Sequence, residues 1–172
     1  MAVKPVASSR LSAPLLSRRV SSRARKSASR AKTPVPRDPR HSLDALFRPR
    51  AVAVIGASRR EGSIGRQVVA NLLAGGFTGP VYPVNRSADV VMSMPSYDGV
   101  AAIPGPVDLA VICVPATEVP AVVEDCGKKG VGGLVVITAG FREIGPEGAA
   151  REEAVIAITQ RYGMRVIGPN CM

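Results

Sequence analysis

Residues 51–65 read AVAVIGASRREGSIG. Five apolar residues, Ala51 to Ile55, run into Gly56, and a polar loop carrying two arginines leads on to Ser63, Ile64 and Gly65. An unbroken apolar run stopped by glycine is the pattern of a strand covered on both faces. The residues after the loop have helical spacing. Strand, glycine turn and helix start, in that order, make a place for a phosphate. The first N–H groups of a helix have no partner within it and carry the positive end of its dipole. The stretch therefore decides the fold class and leaves open which phosphate is held.

Working outward, strands and helices alternate. Ser42 can cap a short helix over SLDALFRP, which Pro49 stops. Residues 51–56 form the first strand, and 64–75 a helix with Ile64, Val68, Leu72 and Leu73 on one face, ended by Gly75-Gly76. PVYPVN (80–85) is a short strand, and VVMSMPSYDGVAAIPG a looser strand and helix. VDLAVICVP (107–115) is an apolar strand, followed by a helix over 116–129 with Val119, Val122, Val123 and Cys126 inward. GGLVVITAG (132–140) is a strand, 146–162 a helix, and MRVIGPN (164–170) a last strand. This is an α/β pattern, a doubly wound Rossmann-like parallel sheet with right-handed crossovers. Such sheets bind ligands beyond the carboxyl ends of their strands. The candidate residues are accordingly Gly56-Ala57-Ser58, Asn85-Arg86, Val114-Pro115-Ala116, Thr138-Ala139-Gly140 and Pro169-Asn170.

Composition limits the alternatives. The 172 residues are 46% hydrophobic with no Trp, three Phe and three Tyr, so Val, Ile, Leu and Ala must fill the core. No apolar run is long enough to span a membrane. Cys113, Cys126 and Cys171 show neither metal spacing nor a disulfide framework and read as reduced, mostly buried thiols. The formal charge of +10 lies wholly in residues 1–37, which hold ten of the 23 Lys/Arg and none of the 13 acids. That segment, rich in Ser and Pro, is expected to be a disordered tail over residues 1–40, with the domain occupying 41–172. A solvated tail, an organelle transit peptide and an electrostatic contact with nucleic acid compete to explain it. The lack of aromatics for base stacking argues against nucleic acid. The chain reads as cytoplasmic, or as belonging to an organelle matrix if the tail is a transit peptide.

The phosphate loop is not a nicotinamide fingerprint. G-x-G-x-x-G fails, because the next glycine after Gly56 is Gly62. The second strand ends in Asn85-Arg86-Ser87, where an NAD site wants an acid for its ribose. A cation there suits a phosphorylated ribose, as in NADP or coenzyme A. A Walker loop is excluded, since the glycine spacing is one residue too long and no lysine follows. Backbone N–H groups of residues 58–64, the hydroxyls of Ser58 and Ser63, and Arg59 and Arg60 remain to bind an anion.

The stretches IGAS…GSIG, GPVYPVN, VDLAVICVPA, VVITAGF and IGPNC, in this order, resemble the coenzyme A-binding domain of the NDP-forming acyl-CoA synthetases. That superfamily includes the succinyl-CoA synthetase alpha subunit and synthetase-like protein lysine acetyltransferases. The resemblance covers roughly residues 42–172. It implies that Gly56, Ala57, Ser58, Arg59 and Arg60 hold the coenzyme A phosphates and that Asn85 and Arg86 meet the 3′-phospho-adenosine end. Arg86-Ser87 stands where relatives often have Pro-Lys. It also implies that Val114, Pro115 and Ala116, with Thr138, Ala139 and Gly140, lie near the ligand, the latter three by the pantetheine arm. Cys171 then reads as structural. The implied parent protein is an ADP-forming acid–CoA ligase or an acyltransferase, with downstream synthetase domains or a partner subunit carrying an ATP-grasp domain. The family's phosphohistidine lies in a downstream domain, and the only histidine here is His41, ahead of the first strand. The chain alone is therefore expected not to turn over. A stand-alone sensor of coenzyme A or acyl-CoA, and an NADP-binding domain, are the alternatives.

Overall fold

Successive residues of a strand face opposite sides of a sheet, and in the 52–55 segment both sides are dry. The computed structural model describes residues 43–171. Val52 and Val54 of β1 (Val52–Ile55) pack into one apolar layer, while Ala53 and Ile55 pack into another. All four are buried. β5 (Leu109–Ile112) repeats the division: Leu109 and Val111 join the first layer, and Ala110 and Ile112 the second. This is why the sequence shows continuous apolar runs rather than alternation. Burying each valine, leucine or isoleucine among them contributes roughly 1.5–3 kcal/mol.

α1 (Asp44–Phe47) precedes β1, and between β1 and β5 lie α2 (Ile64–Ala74), β2 (Val81–Val84), and the two-residue strands β3 (Val90–Val91) and β4 (Met94–Pro95). After β5 come α3 (Val119–Lys129), β6 (Gly133–Val136), α4 (Pro146–Tyr162) and β7 (Arg165–Ile167). The main sheet is parallel throughout, in the order β2-β1-β5-β6-β7. Its strands are level, with Ile55 opposite both Val84 and Ile112, and Ile112 opposite Val136. α2 covers the first layer through Val69, with Val68 and Leu72 beside it. α3 covers the second through Val119, Val122, Val123 and Cys126, with Val155 of α4 in the same layer. The expected doubly wound Rossmann-like α/β architecture is the one observed.

Two details differ from the sequence reading. Ile64 and Leu73 are 45% and 46% exposed, so the inner face of α2 is turned toward Gly65 and Val69. The reason is Gly65 itself, where any Cβ would collide with the carbonyl of Gly56. The helix sits closest to the sheet where it has no side chain. The loose stretch after β2 holds the expected short helix, a 3-10 turn over Val100–Ala102, but two strands rather than one: β3 and β4 form an antiparallel ribbon, whose turn residues Met92 and Ser93 both have positive φ, 50° and 64°.

Helix ends follow the punctuation. α3 stops at Gly130 (φ 81°), and the Val131 N–H reaches back to the Cys126 carbonyl at 3.0 Å. α4 begins at Pro146 and ends before Gly163 (φ 65°). Gly127 leaves room for the Tyr162 ring, whose hydroxyl donates to Glu124 Oε1 at 2.7 Å. At the amino ends of β1 and β5, buried Asp108 accepts from the Arg50 backbone N–H (2.9 Å), Nε (3.0 Å) and Nη2 (3.1 Å). The basic tail 1–40, His41 and the Ser42 cap lie outside the described residues.

Candidate functional site

β1 is the point where the winding reverses: β2 lies on one side of it and β5 on the other. The connections leaving β1 and β5 go in opposite directions there, so a crevice opens at the carboxyl ends. A cleft of about 370 Å³ occupies it. Gly56 forms its floor, Asn85 and Arg86 the β2 side, and Val114 the β5 side. Chain segments further on complete it. Tyr97 pairs beside β2, donating its N–H to the Pro83 carbonyl (3.0 Å) and accepting from the Asn85 N–H (2.9 Å). That pairing brings Asp98 and Gly99 to the cleft. Glu118, Val122 and Asp125 enter from α3 and the turn before it.

Gly56 is required by packing as well as by turn geometry. Its φ is 89°, and a Cβ there would lie 2.8 Å from the Cys113 carbonyl oxygen. Ala57 is fully buried, so its side chain offers a ligand nothing. The Ala57 carbonyl accepts from the Asn85 side-chain amide, and Asn85 Oδ1 accepts from the Ser87 N–H at 2.7 Å. Asn85 thus staples the loop after β1 to the end of β2.

The loop itself is closed on its own groups. Ser58 Oγ accepts from the Arg60 N–H at 3.1 Å, and Ser63 Oγ donates to the Arg60 carbonyl at 2.8 Å. The Ser63 N–H also approaches that carbonyl, at 3.3 Å. Two of the N–H groups counted as anion donors are therefore occupied, and so is the Ser63 hydroxyl. Ser58 keeps its own hydroxyl proton to give. Arg59 and Arg60 are exposed at the loop tip, and Gly62 (φ 74°) has open space around it. Arg86 is 72% exposed, with Nη1 3.7 Å from Glu118 Oε2.

The remaining sequence candidates lie elsewhere on the same edge. Pro115 is exposed, and Ala116 opens the short turn at 116–118. Thr138, Ala139 and Gly140 do not line the cleft. The Thr138 hydroxyl donates to the Val114 carbonyl at 2.6 Å, bracing two strand ends together. The Gly140 N–H donates to Glu143 Oε1 at 2.6 Å, and its carbonyl accepts from Arg151. The N–H groups of Gly140, Glu143 and Phe141 together hold the Glu143 carboxyl below its ordinary range. The Asn170 N–H meets the Thr138 carbonyl at 3.1 Å, and the Cys171 thiol lies 3.2 Å from the Val136 carbonyl. Burial pushes the Cys113 thiol up to about 11 and the Cys126 thiol up to about 12, so neither is a ready nucleophile at neutral pH. Among the described residues no cluster of His, Cys, Asp or Glu is arranged for a metal ion, and no helix is long and apolar enough to cross a membrane.

Sequence reasoning missed Asp98, Glu118 and Asp125. Only the last two left a trace: with Val122 they follow one helical stripe, at spacings of four and three.

Known proteins share the sequence and the fold. The family model described as CoA binding domain matches residues 50–172. Acetate--CoA ligase [ADP-forming] I of Archaeoglobus fulgidus is 48% identical over 130 residues, 76% of this chain and 19% of that protein. The alpha subunit of acetate--CoA ligase [ADP-forming] I of Pyrococcus furiosus is 45% identical over 133 residues, 75% of this chain and 29% of the subunit. The chain thus spans less than a third of the length of either relative. The solved structure of dinucleotide-forming acetyl-coenzyme A synthetase 1 from Ca. Korarchaeum cryptofilum, in complex with phosphate and ADP, superposes with a TM-score of 0.71. It is 48% identical, over 74% of this chain and 27% of that one. A parallel sheet reversing at β1, a glycine turn at its carboxyl end and a family match across the whole sheet agree: the chain belongs to the CoA-binding domain family of the ADP-forming acyl-CoA synthetases.

Proposed function

We propose that this chain binds coenzyme A in the cleft at the carboxyl end of β1, with the pyrophosphate over the loop 56–60 and the 3′-phosphate at Arg86. The observation that carries the reading is the β2 terminus. Asn85 anchors the loop, and Arg86 stands at the cleft where a nicotinamide site would need an acid. A guanidinium matches a phosphate in both charge and fork geometry. The Gly56 turn supports the pyrophosphate end, since a backbone without a Cβ lets phosphate oxygens approach closely. Val114, Pro115 and Ala116, with Thr138, Ala139 and Gly140, serve mainly to shape the rim on which the pantetheine arm lies.

Coenzyme A is then a substrate that the parent protein joins to or releases from an acyl group. The parent protein is an ADP-forming acid–CoA ligase of the cytoplasm, and the remaining steps belong to partner or downstream domains of ATP-grasp type. The relatives support this, two of them being alpha subunits by name. Residues 41–172 are the folded unit on this reading, and the chain alone makes no acyl phosphate.

Calorimetry with coenzyme A, dephospho-coenzyme A, NADP and NAD tests the ligand. Coenzyme A binds tightest, and NAD does not bind. Tighter binding of NADP would transfer the site to a nicotinamide nucleotide. Incubation with acetyl-CoA, ADP, phosphate and magnesium yields no ATP; ATP formation would make the chain a complete enzyme.

A further inference from the structure

Among the described residues, the cleft lining brings one arginine, Arg86, against three acids, Asp98, Glu118 and Asp125. That is an unfavourable surround for a ligand whose charge is all negative. Arg86 is also engaged: its Nη1 lies 3.7 Å from Glu118 Oε2. The two side chains come from opposite flanks of β1. Arg86 follows β2, and Glu118 ends the short turn after β5. Their contact closes across the mouth of the cleft, where both stay substantially exposed, at 72% and 46%. A 3′-phosphate reaching Arg86 has to take the guanidinium from Glu118.

We propose that Glu118 is a selectivity residue, which by holding Arg86 in the empty cleft sets how strongly the domain distinguishes a 3′-phosphate from a free 3′-hydroxyl. This rests on the coenzyme A reading above. A phosphate, with its higher charge and bidentate geometry, displaces the carboxylate. Breaking the pair weakens binding of coenzyme A alone, because dephospho-coenzyme A has no reason to break it. Glu118 therefore restrains affinity for coenzyme A, keeping release easy in a protein that must let the ligand go. The contact is long and solvated, so the restraint is modest and sensitive to salt.

The test is a double-mutant cycle on the full chain, read by calorimetry with coenzyme A and dephospho-coenzyme A. Glu118→Gln keeps the shape and removes the charge. It is expected to tighten coenzyme A by about three- to five-fold at low salt and to leave dephospho-coenzyme A within about 1.5-fold. The gain shrinks in ~0.5 M salt. Arg86→Ala abolishes the preference for coenzyme A, and adding Glu118→Gln to it restores nothing. Three results overturn the role of Glu118: no change on Glu118→Gln, equal tightening of both ligands, or a gain that persists without Arg86. The last would make Glu118 merely a nearby negative charge. If the unaltered chain binds no coenzyme A at all, the ligand assignment itself falls; binding with no Glu118 effect removes only the selectivity role.

Discussion

The carbonyl of Gly56 occupies the space that a Cβ on Gly65 would need. The first turn of α2 thus rests directly on the backbone of the turn after β1, with no side chain between them. Gly65→Ala must push the helix away from the sheet. Overpacking of this kind costs roughly 1–3 kcal/mol, and the urea midpoint falls accordingly. Gly62→Ala is the control. Its φ of 74° is unfavourable for alanine, but nothing lies within 4 Å, so the cost is about 1 kcal/mol with no collision. Equal midpoints for the two variants would refute the contact. Gly56→Val combines both faults and reports on folding before it reports on ligand.

Asp108 gives a stability probe at the opposite edge from the cleft. Asp108→Ala strands the Arg50 backbone N–H and removes both guanidinium contacts. The expected loss is roughly 1–3 kcal/mol in urea unfolding. Coenzyme A affinity, measured by calorimetry at a temperature where the variant is folded, is unchanged, because Asp108 lies at the amino ends of the strands.

The thiols give a pH dependence with a definite sign. Cys126, raised from 9.0 to about 12 by burial and then by Asp125, stays neutral in the fold while the unfolded chain ionises. Its contribution to stability is complete below pH 9 and is lost as pH rises toward 12. Denaturant midpoints should therefore fall between pH 9 and pH 11, with a shallower slope in Cys126→Ala. A thiol reagent at pH 8 labels Cys126 only on unfolding; rapid labelling of the native protein would contradict the burial.

Glu143 titrates in the other direction. Its carboxyl is lowered from 4.5 by the N–H groups of Gly140, Glu143 and Phe141, so it favours the folded loop above pH 4.5 and loses that effect as pH falls through its folded value. The Gly140 amide resonance should follow this titration with a midpoint below 4.5. Glu143→Gln should abolish the midpoint while leaving the sheet resonances in place.

The strands were readable because both of their faces are dry, which makes Val, Ile and Ala continuous in β1 and β5. α4 was readable to its end residues because Pro146 and Gly163 mark them. The face of α2 was misjudged through Ile64 and Leu73. Apolar spacing locates a helix face by its side chains, and here the closest approach is made by a glycine. The β3–β4 ribbon was indistinct because its left-handed turn is Met92-Ser93, without the Asn-Gly usual for such turns. Gly56, Asn85 and Arg86 could be picked out by the strand-end rule alone. Asp98 and Glu118 could not, since they reach the cleft only through the packing of segments that follow other strands.

The loop after β1 also has a modular character. Its polar bonds link Ser58, Arg60 and Ser63, and Arg66 of α2 reaches only the Arg59 carbonyl, at 3.4 Å. Residues 59–61 thus hang from the scaffold as an interchangeable cassette, bounded by Gly56 and Ala57 on one side and by Gly62 and Gly65 on the other. On the coenzyme A reading proposed above, exchanging those three residues would retune phosphate binding while leaving the sheet and its helices untouched. Substitutions there meet little of the scaffold, whereas Gly56 and Gly65 leave almost no freedom.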